Sequence, residues 1–371
     1  LNSQSHLNLA HILLGSNSFI EGWNEYEWRW ELKSTNIGIK LKSNQPEWSP
    51  GNRGRVLLWA EQCLGDELLF STLVPDFLDY IDRLILKIDA RLIPLFKRTY
   101  GERIDYVSKD ELIEESKYDF QIAMGSLPKY LRTSEDSFKT SKKLRLEVDN
   151  NKSKQLRSKL IDKKYEKIVG ISWKSSSTIN TQKSLSLEEF ILGIYSPKIR
   201  FVCLQYGDVK EEINHIREKH GIDICEVEEV DKYNDIDHLA ALIAACDEVI
   251  SVGNVTVHLA GVLGVHGKIL VSTNNLFYLG TNDIRTCWYP SLKLFRQKKA
   301  GDWKDPLEKL KEEFAKHGIA SLVKLSKDQI ISKAFEFHSN GKINEAAKYY
   351  KNFLDYRKLR ANLPRAQVRA R

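Results

Sequence analysis

The sequence predicts an α/β protein with two successive sets of parallel strands and a helical hairpin at each end. Short apolar runs alternate with helix-like segments, first over residues 56–130 and again over 166–272. Residues 133–165 separate the two sets, because they are rich in Ser, Lys, Asp and Asn and show no strand signal. With 371 residues, the chain is long enough for two or three domains of about 100–200 residues each.

The first 32 residues predict two short helices, SHLNLAHILLGSN and FIEGWNEYEWRW, joined by a polar turn. A lone hairpin cannot bury both of its apolar faces. We therefore expect it to dock on the first strand set through Trp23, Trp28 and Trp30, as the last unit of a repeat array. The chain begins at Leu1 rather than Met, as expected of a fragment.

The strand candidates of both sets are short and strongly apolar. Those of the first set are VLLWA, RLILKID, IDYV and FQIAM, and those of the second are KIVGISW, RFVCLQY, ICEV, EVISV and KILVS. Helix candidates in the second set cover 186–195, 208–220, 237–246 and 257–264. Such runs, alternating with helices, predict a parallel sheet covered on both faces.

Near the C-terminus, IISKAFEFHSNGKINEAAKYYKNFLD predicts a second helical hairpin that turns at Asn340-Gly341. Its pattern is that of a tetratricopeptide repeat. Beyond it, residues 357–371 form a basic tail that accounts for most of the net charge of +7. Because the rest of the chain is nearly neutral, the sequence predicts no nucleic-acid partner.

The five cysteines are widely spaced and form no CxxC pair. They indicate reduced thiols in a cytoplasmic protein and no zinc site. No apolar run approaches the ~20 residues that a membrane-spanning helix needs.

The segment DEVISVGNVTVHLAGVLG, residues 247–264, predicts a strand, a polar turn and a helix in immediate succession. Backbone N–H groups at such a turn can bind a phosphate. Asn254, Thr256 and His258 are the candidate contacts. In the alternative interpretation, Asn254 and Thr256 only cap the helix.

Five segments together resemble bacterial glycosyltransferases that carry tetratricopeptide repeats and whose catalytic part is related to heptosyltransferases (glycosyltransferase family 9-like). They are EGWNEYEWRW, LLWAEQCLGDELLFSTL, GISWKSS with KSLSLEEF, ISVGNVTVHLAGVLG and WYPSLKLFRQKKAGDW. The resemblance implies a GT-B architecture, in which two Rossmann-like lobes face each other and the second holds a nucleotide-sugar. It also implies transfer without a metal, and with no cofactor besides the donor.

In the first lobe, Gly65-Asp66 matches the family's GD motif, and the resemblance implies that Asp66 is the catalytic base. Sugar transfer needs such a base for the acceptor hydroxyl and a positive site for the leaving diphosphate. Gly65 would lie beside it in the cleft. The alternative is that Asp66 caps a helix beginning at Glu67.

In the second lobe, Lys174, Ser175 and Lys183 follow the first strand, where a lysine can neutralise a phosphate. Either lysine could instead be an ordinary solvated one. Gln205 and Tyr206 end the next strand, where the nucleotide base is usually bound. The alternative for Tyr206 is packing between the lobes.

Gly253 departs from the family pattern, which often has Asp at this position. Arg296 either faces the cleft or locks a crossover helix. The predicted function is metal-independent transfer of a sugar from a nucleotide-sugar to a glycan or protein acceptor, with a protein partner held by the helical repeats. The alternative is a noncatalytic repeat-bearing scaffold with a degenerate transferase core.

The predicted domains follow from these boundaries. They are the end of a tetratricopeptide-like repeat (1–32), a connector (33–55), an N-terminal acceptor lobe (56–150), a linker (151–165), a C-terminal nucleotide-sugar lobe (166–318), a tetratricopeptide-like hairpin (326–356) and the basic tail (357–371).

Overall fold

The computed structural model of the chain forms two compact units, Leu1–Ile319 and Ala320–Arg371. The structure describes residues 2–32, 39–175, 183–273, 277–281, 284–316, 327–341, 343, 346–347 and 349–350.

The first unit opens with a helical hairpin, as the sequence predicts. Helix α1 (Ser3–Gly15) and helix α2 (Phe19–Tyr26) are followed by a 3₁₀ turn over Glu27–Glu31. Asn17 has a positive φ of 65° in the connecting turn, a conformation that asparagine tolerates better than most residues.

A four-stranded parallel sheet follows, in the order β3-β2-β1-β4. Its strands are β1 (Arg55–Trp59), β2 (Arg83–Ile88), β3 (Ile104–Ser108) and β4 (Phe120–Ala123). The associated helices are α3 (Leu64–Phe70), α4 (Val74–Phe77), α5 (Ile93–Tyr100), α6 (Pro128–Leu131) and α7 (Glu135–Lys139). We call this part the first lobe.

The second lobe contains a six-stranded parallel sheet, in the order β10-β9-β8-β5-β6-β7. Its strands are β5 (Lys167–Ser172), β6 (Ile199–Cys203), β7 (Ile224–Cys225), β8 (Glu248–Val252), β9 (Gly267–Val271) and β10 (Leu292–Arg296). The helices are α8 (Asn150–Leu160), α9 (Leu187–Ile194), α10 (Lys210–His220), α11 (Ile236–Ala245), α12 (Val255–Leu263) and α13 (Lys304–Lys316). The chain winds outward from β5 in one direction and then in the other, as in a doubly wound fold.

Both faces of this second sheet are buried. Val249 contributes to one apolar core together with α11 and α12, whereas its neighbour Ile250 contributes to a separate core with α9, α10 and α13. Successive side chains of a strand point to opposite faces, so this division follows directly from the pleat. The prediction of an α/β fold with parallel sheets is confirmed.

Two predicted connecting segments contain more structure than their composition indicates. Residues 151–165 include most of α8, whose Leu156 and Leu160 are buried against the second lobe's core. Residues 39–54 form neither helix nor strand, yet Trp48 is fully buried and its indole N–H donates to the Asn52 carbonyl at 2.9 Å.

The first hairpin docks on both lobes rather than on the first alone. The Trp23 indole N–H donates to the Arg132 carbonyl of the first lobe at 2.8 Å, and the Trp23 ring meets Phe277 of the second lobe edge-on at 5.8 Å. Trp30 packs on Trp59 of β1. The expectation for Trp28 is wrong, because its ring stacks on His6 within the hairpin, with ring centroids 4.0 Å apart.

The second unit contains helix α14 (Lys327–Ser339), followed by a turn at the predicted position, where Gly341 has a φ of 69°. After the turn, the Tyr350 ring lies edge-on to Phe335 at 5.9 Å, and both Ala334 and Ala346 are buried. The end of the predicted hairpin and the basic tail lie outside the described residues. Over the described part of the whole chain, no helix has both the length and the apolar character that crossing a membrane would require.

Candidate active site

Helix α3 of the first lobe and helix α12 of the second pack against each other near their N-terminal ends. Gly65 lies in the first turn of α3, directly against His258 of α12. A Cβ atom at residue 65 would lie only 3.1 Å from His258 Cδ2, so the glycine permits this close approach. Two predicted site residues from different lobes, Gly65 and His258, are therefore brought together at this junction.

The second sheet has its topological switch point between β5 and β8, which are neighbours in the sheet. From these two strands the chain departs in opposite directions, which leaves a crevice at their carboxyl ends. Ligands of doubly wound folds bind in this crevice. The helix α12 begins there, directly after β8, so the positive end of its dipole lies at the crevice.

Asn254 is the N-cap of α12 and shapes the crevice. Its amide nitrogen donates to Ser172 Oγ at 2.7 Å and to the Lys174 carbonyl at 2.9 Å, and its oxygen accepts from Thr256 N at 3.0 Å and Ser251 Oγ at 3.2 Å. These four bonds use both donors and both lone pairs of the amide. The capping interpretation of Asn254 is thus confirmed, while Thr256 is buried and supplies the capped N–H.

Gln205 is buried just beyond the end of β6 and fixes the turn that follows β5. The oxygen of its side-chain amide accepts hydrogen bonds from Ser172 Oγ at 2.9 Å, from Trp173 N at 3.0 Å and from Lys174 N at 2.8 Å. Its amide nitrogen donates to the Tyr206 carbonyl at 3.3 Å. The side chain expected to bind the base therefore positions the neighbouring backbone.

The other residues near β5 and β6 lie around this turn. The Lys174 ammonium forms an ion pair with Glu212 of α10 and is half-exposed. Ser175 donates its backbone N–H to Ser184 Oγ at 3.0 Å. The Tyr206 ring lies 6.4 Å from that of Tyr233, in the same lobe. The positive charge of Lys174 is thus already matched by a carboxylate.

Asp66 lies in the first turn of α3 at the junction, hydrogen-bonded by the thiol of Cys63 at 2.8 Å. Burial raises the pKa of Asp66, while the Cys63 thiol and the charge of Lys183 oppose the shift. The capping alternative is wrong, because the helix begins at Leu64 and its N-cap is Cys63. A carboxylate with a raised pKa suits the task of accepting a proton.

Lys183 and His258 of the second lobe complete the electrostatic setting of Asp66. Burial lowers the pKa of Lys183, and the negative charge of Asp66 partly offsets this effect. Burial, followed by the charge of Lys183, lowers the pKa of His258 to about 3, so its imidazole is neutral at pH 7. The Lys183 cation and the Asp66 carboxylate thus act on one another across the lobe junction.

Two tyrosines near His258 are absent from the sequence-based prediction. Tyr289 OH lies 2.9 Å from His258 Nδ1, and the Tyr278 ring lies 4.7 Å from the imidazole. The Tyr278 hydroxyl is buried without a hydrogen-bond partner among the described residues. Burial raises the pKa of Tyr278, and the charge of Asp66 adds to this shift. The signal that could have found them is the pair of aromatic-rich loops on either side of residues 282–283.

Arg296, the last residue of β10, donates from its guanidinium to the Leu279 carbonyl. It thereby holds the 3₁₀ turn Phe277–Leu279, which carries Tyr278. This arrangement agrees with a structural role, although the element held is this turn rather than a crossover helix. Gly253 lies in the bend directly before Asn254 and brings no side chain to the crevice.

The corresponding crevice of the first sheet, between β1 and β4, is closed by the N-terminal hairpin. The Arg29 guanidinium is fully buried and donates to Glu61 Oε1 at 3.2 Å and to Ser126 Oγ at 2.7 Å. Glu61 also accepts from Gly125 N at 3.1 Å. Burial raises the pKa of Glu61, and Arg29 opposes the shift. The switch-point crevice of the first lobe is therefore filled by side chains of the protein itself.

Among the described residues, no group of three or more His, Cys, Asp or Glu side chains is arranged to hold a metal ion. The expectation of metal-independent chemistry stays a prediction.

The sequence is 30% identical over 315 residues to the protein FlbA of Caulobacter vibrioides, covering 79% of this chain and 52% of FlbA. The chain thus spans about half the length of this relative. No protein-family model matches the sequence.

Two solved structures are similar in fold. A glycosyl transferase family 9 protein from Veillonella parvula matches with a TM-score of 0.48 and 13% identity, over 76% of this chain and 96% of its own. The ADP-heptose LPS heptosyltransferase II of E. coli matches with a TM-score of 0.47 and 13% identity, over 70% of this chain and 97% of its own.

Proposed function

We propose that this chain is the core of a GT-B glycosyltransferase that moves a sugar from a nucleotide-sugar donor to a glycan or protein acceptor. The observation that carries the proposal is the packing of α3 against α12, which places Asp66, in the first turn of α3, beside the β5–β8 crevice of the second lobe. Lys183 of the second lobe supplies a positive charge that acts on this carboxyl. Sugar transfer requires a proton acceptor on the acceptor side and positive charge on the diphosphate side. The two lobes supply one of each.

The roles divide by lobe. Asp66 takes the proton of the acceptor hydroxyl, and its raised pKa keeps it a competent base. Lys183 and the positive end of the α12 helix dipole balance the charge of the leaving diphosphate. Asn254 and Gln205 are positioning residues, since their side chains hold the crevice backbone in place. The reaction proceeds without a metal or an additional cofactor.

The helical hairpins bind a protein partner or the acceptor, in a cytoplasmic enzyme. The first hairpin is suited to this task because it packs on both lobes and also exposes apolar side chains, such as Ile12 and Ile20. Stacked repeats build extended surfaces from such faces.

Titration calorimetry with ADP, GDP, UDP and CMP tests the nucleotide site. One of them should bind the wild-type chain, and Lys183→Gln should weaken that binding by about tenfold or more, through loss of a charge-assisted hydrogen bond. Lys154→Gln, on the surface of α8, is the control with the same change of charge. Equal affinity in the Lys183→Gln and control variants would remove Lys183 from the site.

A second experiment tests the absence of a metal from the reaction. Turnover of the nucleotide-sugar that carries the bound nucleotide should persist in EDTA if no metal takes part.

A noncatalytic scaffold is the second candidate, favoured by a specific feature of the crevice. Gly253 offers no side chain, and the side chains of Asn254, Gln205 and Lys174 are already engaged within the protein. In that case none of the four nucleotides binds, while a protein partner still does.

A further inference from the structure

A cavity of about 170 Å³ lies on the far side of Tyr289 from the candidate active site. Its walls come from the end of the first lobe and the chain after it, from the second half of α12, and from the loop before β10. Tyr289 lines the cavity, whereas its hydroxyl group bonds His258. The cavity is therefore adjacent to the cleft but separate from it.

Four basic side chains line this cavity, and none of its described lining residues is acidic. Two are neutralised by carboxylates outside the cavity: Arg132 pairs with Asp76 at 2.7 Å, and Lys142 pairs with Asp79.

The other two, Lys143 and Arg145, have no carboxylate within salt-bridge distance among the described residues. The Lys143 ammonium contacts only neutral oxygens, the Phe138 carbonyl and Ser141 Oγ. Burial and the nearby charge of Arg132 lower the pKa of Lys143, while the charge of Asp76 partly offsets this shift. The Arg145 guanidinium lies directly over Gly264, in space that a Cβ atom at that residue would fill. The cavity thus carries two cations without an ion pair among the described residues, both on side chains that reach solvent at its mouth.

The remaining wall is mixed: Phe138, Leu144 and Trp288 are among its apolar residues, and Thr72, Ser141 and Ser291 are polar. Low-dielectric walls strengthen the attraction of the cations for an anion. The volume is below the ~300–1,000 Å³ of pockets that hold drug-sized ligands. A small ligand fits the cavity, whereas a whole nucleotide-sugar does not.

We propose that this cavity binds a small oxyanion of the phosphate or carboxylate class, held by Arg145 and Lys143 between the two lobes. A planar guanidinium can take two oxygens of such a ligand, and the ammonium acts as a point charge. Because the walls come from both lobes, the ligand binds the folded arrangement and should raise its stability.

Two measurements test the proposal: titration calorimetry and thermal unfolding. Each is made with inorganic phosphate and with malonate, and chloride keeps the ionic strength constant. At least one of the two anions should bind at millimolar concentration or below and raise the midpoint of unfolding. The anion that does so identifies the ligand class. Failure of both anions would overturn the proposal.

The Lys143→Gln/Arg145→Gln double variant should lose this binding by about tenfold or more, because two charge-assisted bonds are removed. The control, Lys154→Gln/Lys210→Gln, removes the same charge from the surface and should bind like the wild type. If the double variant does not fold, the two single variants replace it in the experiment. Each should lose less anion affinity than the double variant. Unchanged anion affinity in a folded Lys143 or Arg145 variant would assign the binding to another place and refute the proposal.

Discussion

At the scale of single residues, the site depends on ionisable groups that the protein holds away from water. Asp66→Asn keeps the shape of the side chain but removes the proton acceptor. We expect nucleotide affinity to stay and turnover to fall by ~10²–10⁴-fold. Steady-state turnover and calorimetry on the same preparation measure the two quantities.

The raised pKa of Asp66 has two further consequences that can be measured, one for turnover and one for stability. Turnover should fall as the pH drops below this pKa, because the base becomes protonated. A raised pKa in the folded state also means that the ionised carboxylate destabilises the fold at neutral pH, so Asp66→Asn should unfold at an equal or higher temperature. Normal turnover in the variant would show that Asp66 is not the base.

His258 predicts a pH dependence of stability. Its pKa is lowered from 6.5 to about 3 in the folded chain, so the unfolded chain binds a proton that the folded chain excludes between these values. The free energy of unfolding should therefore fall by ~1.4 kcal/mol per pH unit below pH 6.5 from this residue. Denaturant unfolding at pH 7 and pH 5 measures the slope.

His258→Gln is the matched variant, since it keeps a polar side chain beside Tyr289 but does not titrate. Its stability should decline less between pH 7 and pH 5 than that of the wild type. Identical slopes would mean that His258 is not held neutral by burial. His258→Ala tests contact with the nucleotide. If His258 donates a hydrogen bond to it, the substitution should weaken nucleotide binding by ~1–3 kcal/mol.

The sequence places most candidate residues correctly at strand ends, but it does not reveal their hydrogen-bond partners. Gln205 and Asn254 follow β6 and β8 as predicted, yet their amides are used by Ser172 and by nearby backbone groups. Such pairings join residues about 30 and 80 positions apart, so local spacing cannot show them. The aromatic-rich loop that contains Tyr278 is visible in the sequence, but its position near Asp66 depends on long-range packing that the sequence does not show.

At the scale of elements, the contact of α3 with α12 depends on the absence of a side chain at Gly65. Gly65→Ala places a Cβ atom 3.1 Å from His258 Cδ2, so the buried imidazole must give way by a few tenths of an ångström. We expect a loss of about 1–3 kcal/mol in the free energy of unfolding, as for other overpacked sites. Urea unfolding measures this loss.

A double-mutant cycle with His258→Ala provides the control. When the imidazole is absent, the added methyl group has room, and the cost of Gly65→Ala should shrink by about 0.5–3 kcal/mol. Additive effects of the two substitutions would indicate that the helices are not in contact in solution.

Nine of the ten strands in the described residues coincide with apolar runs that turns bound in the sequence. Five of them, β1, β2, β5, β8 and β9, are buried along nearly their whole length. The strand without such a run is β10, with the sequence LKLFR at the edge of the second sheet. It is a strand because it pairs with β9. The short sequence of β10 does not by itself reveal this long-range pairing. The helix α8 was missed because its surface is polar and only Leu156 and Leu160 are buried.

At the scale of the whole molecule, the two terminal hairpins should differ in local stability. The first buries Trp23 and Arg29 against the lobes, whereas α14 exposes Phe335 and Ile343 follows it at the surface. Amides in residues 8–30 should therefore exchange with deuterium nearly as slowly as those of the lobes, and amides in 330–350 earlier. Hydrogen exchange with mass spectrometry measures both. Equally slow exchange in the two hairpins would contradict the prediction.

The docking of the first hairpin on both lobes also sets an order of events during synthesis. Trp23 emerges from the ribosome early, but its ring partner Phe277 follows about 250 residues later. At about 5–20 residues per second, this interval lasts roughly 13–50 s. During that time the first lobe can cover only part of the hairpin's aromatic surface, and the remainder faces the cytosol or a chaperone. Newly made chains that stop before residue 277 should consequently be more prone to aggregate than chains that end after β10.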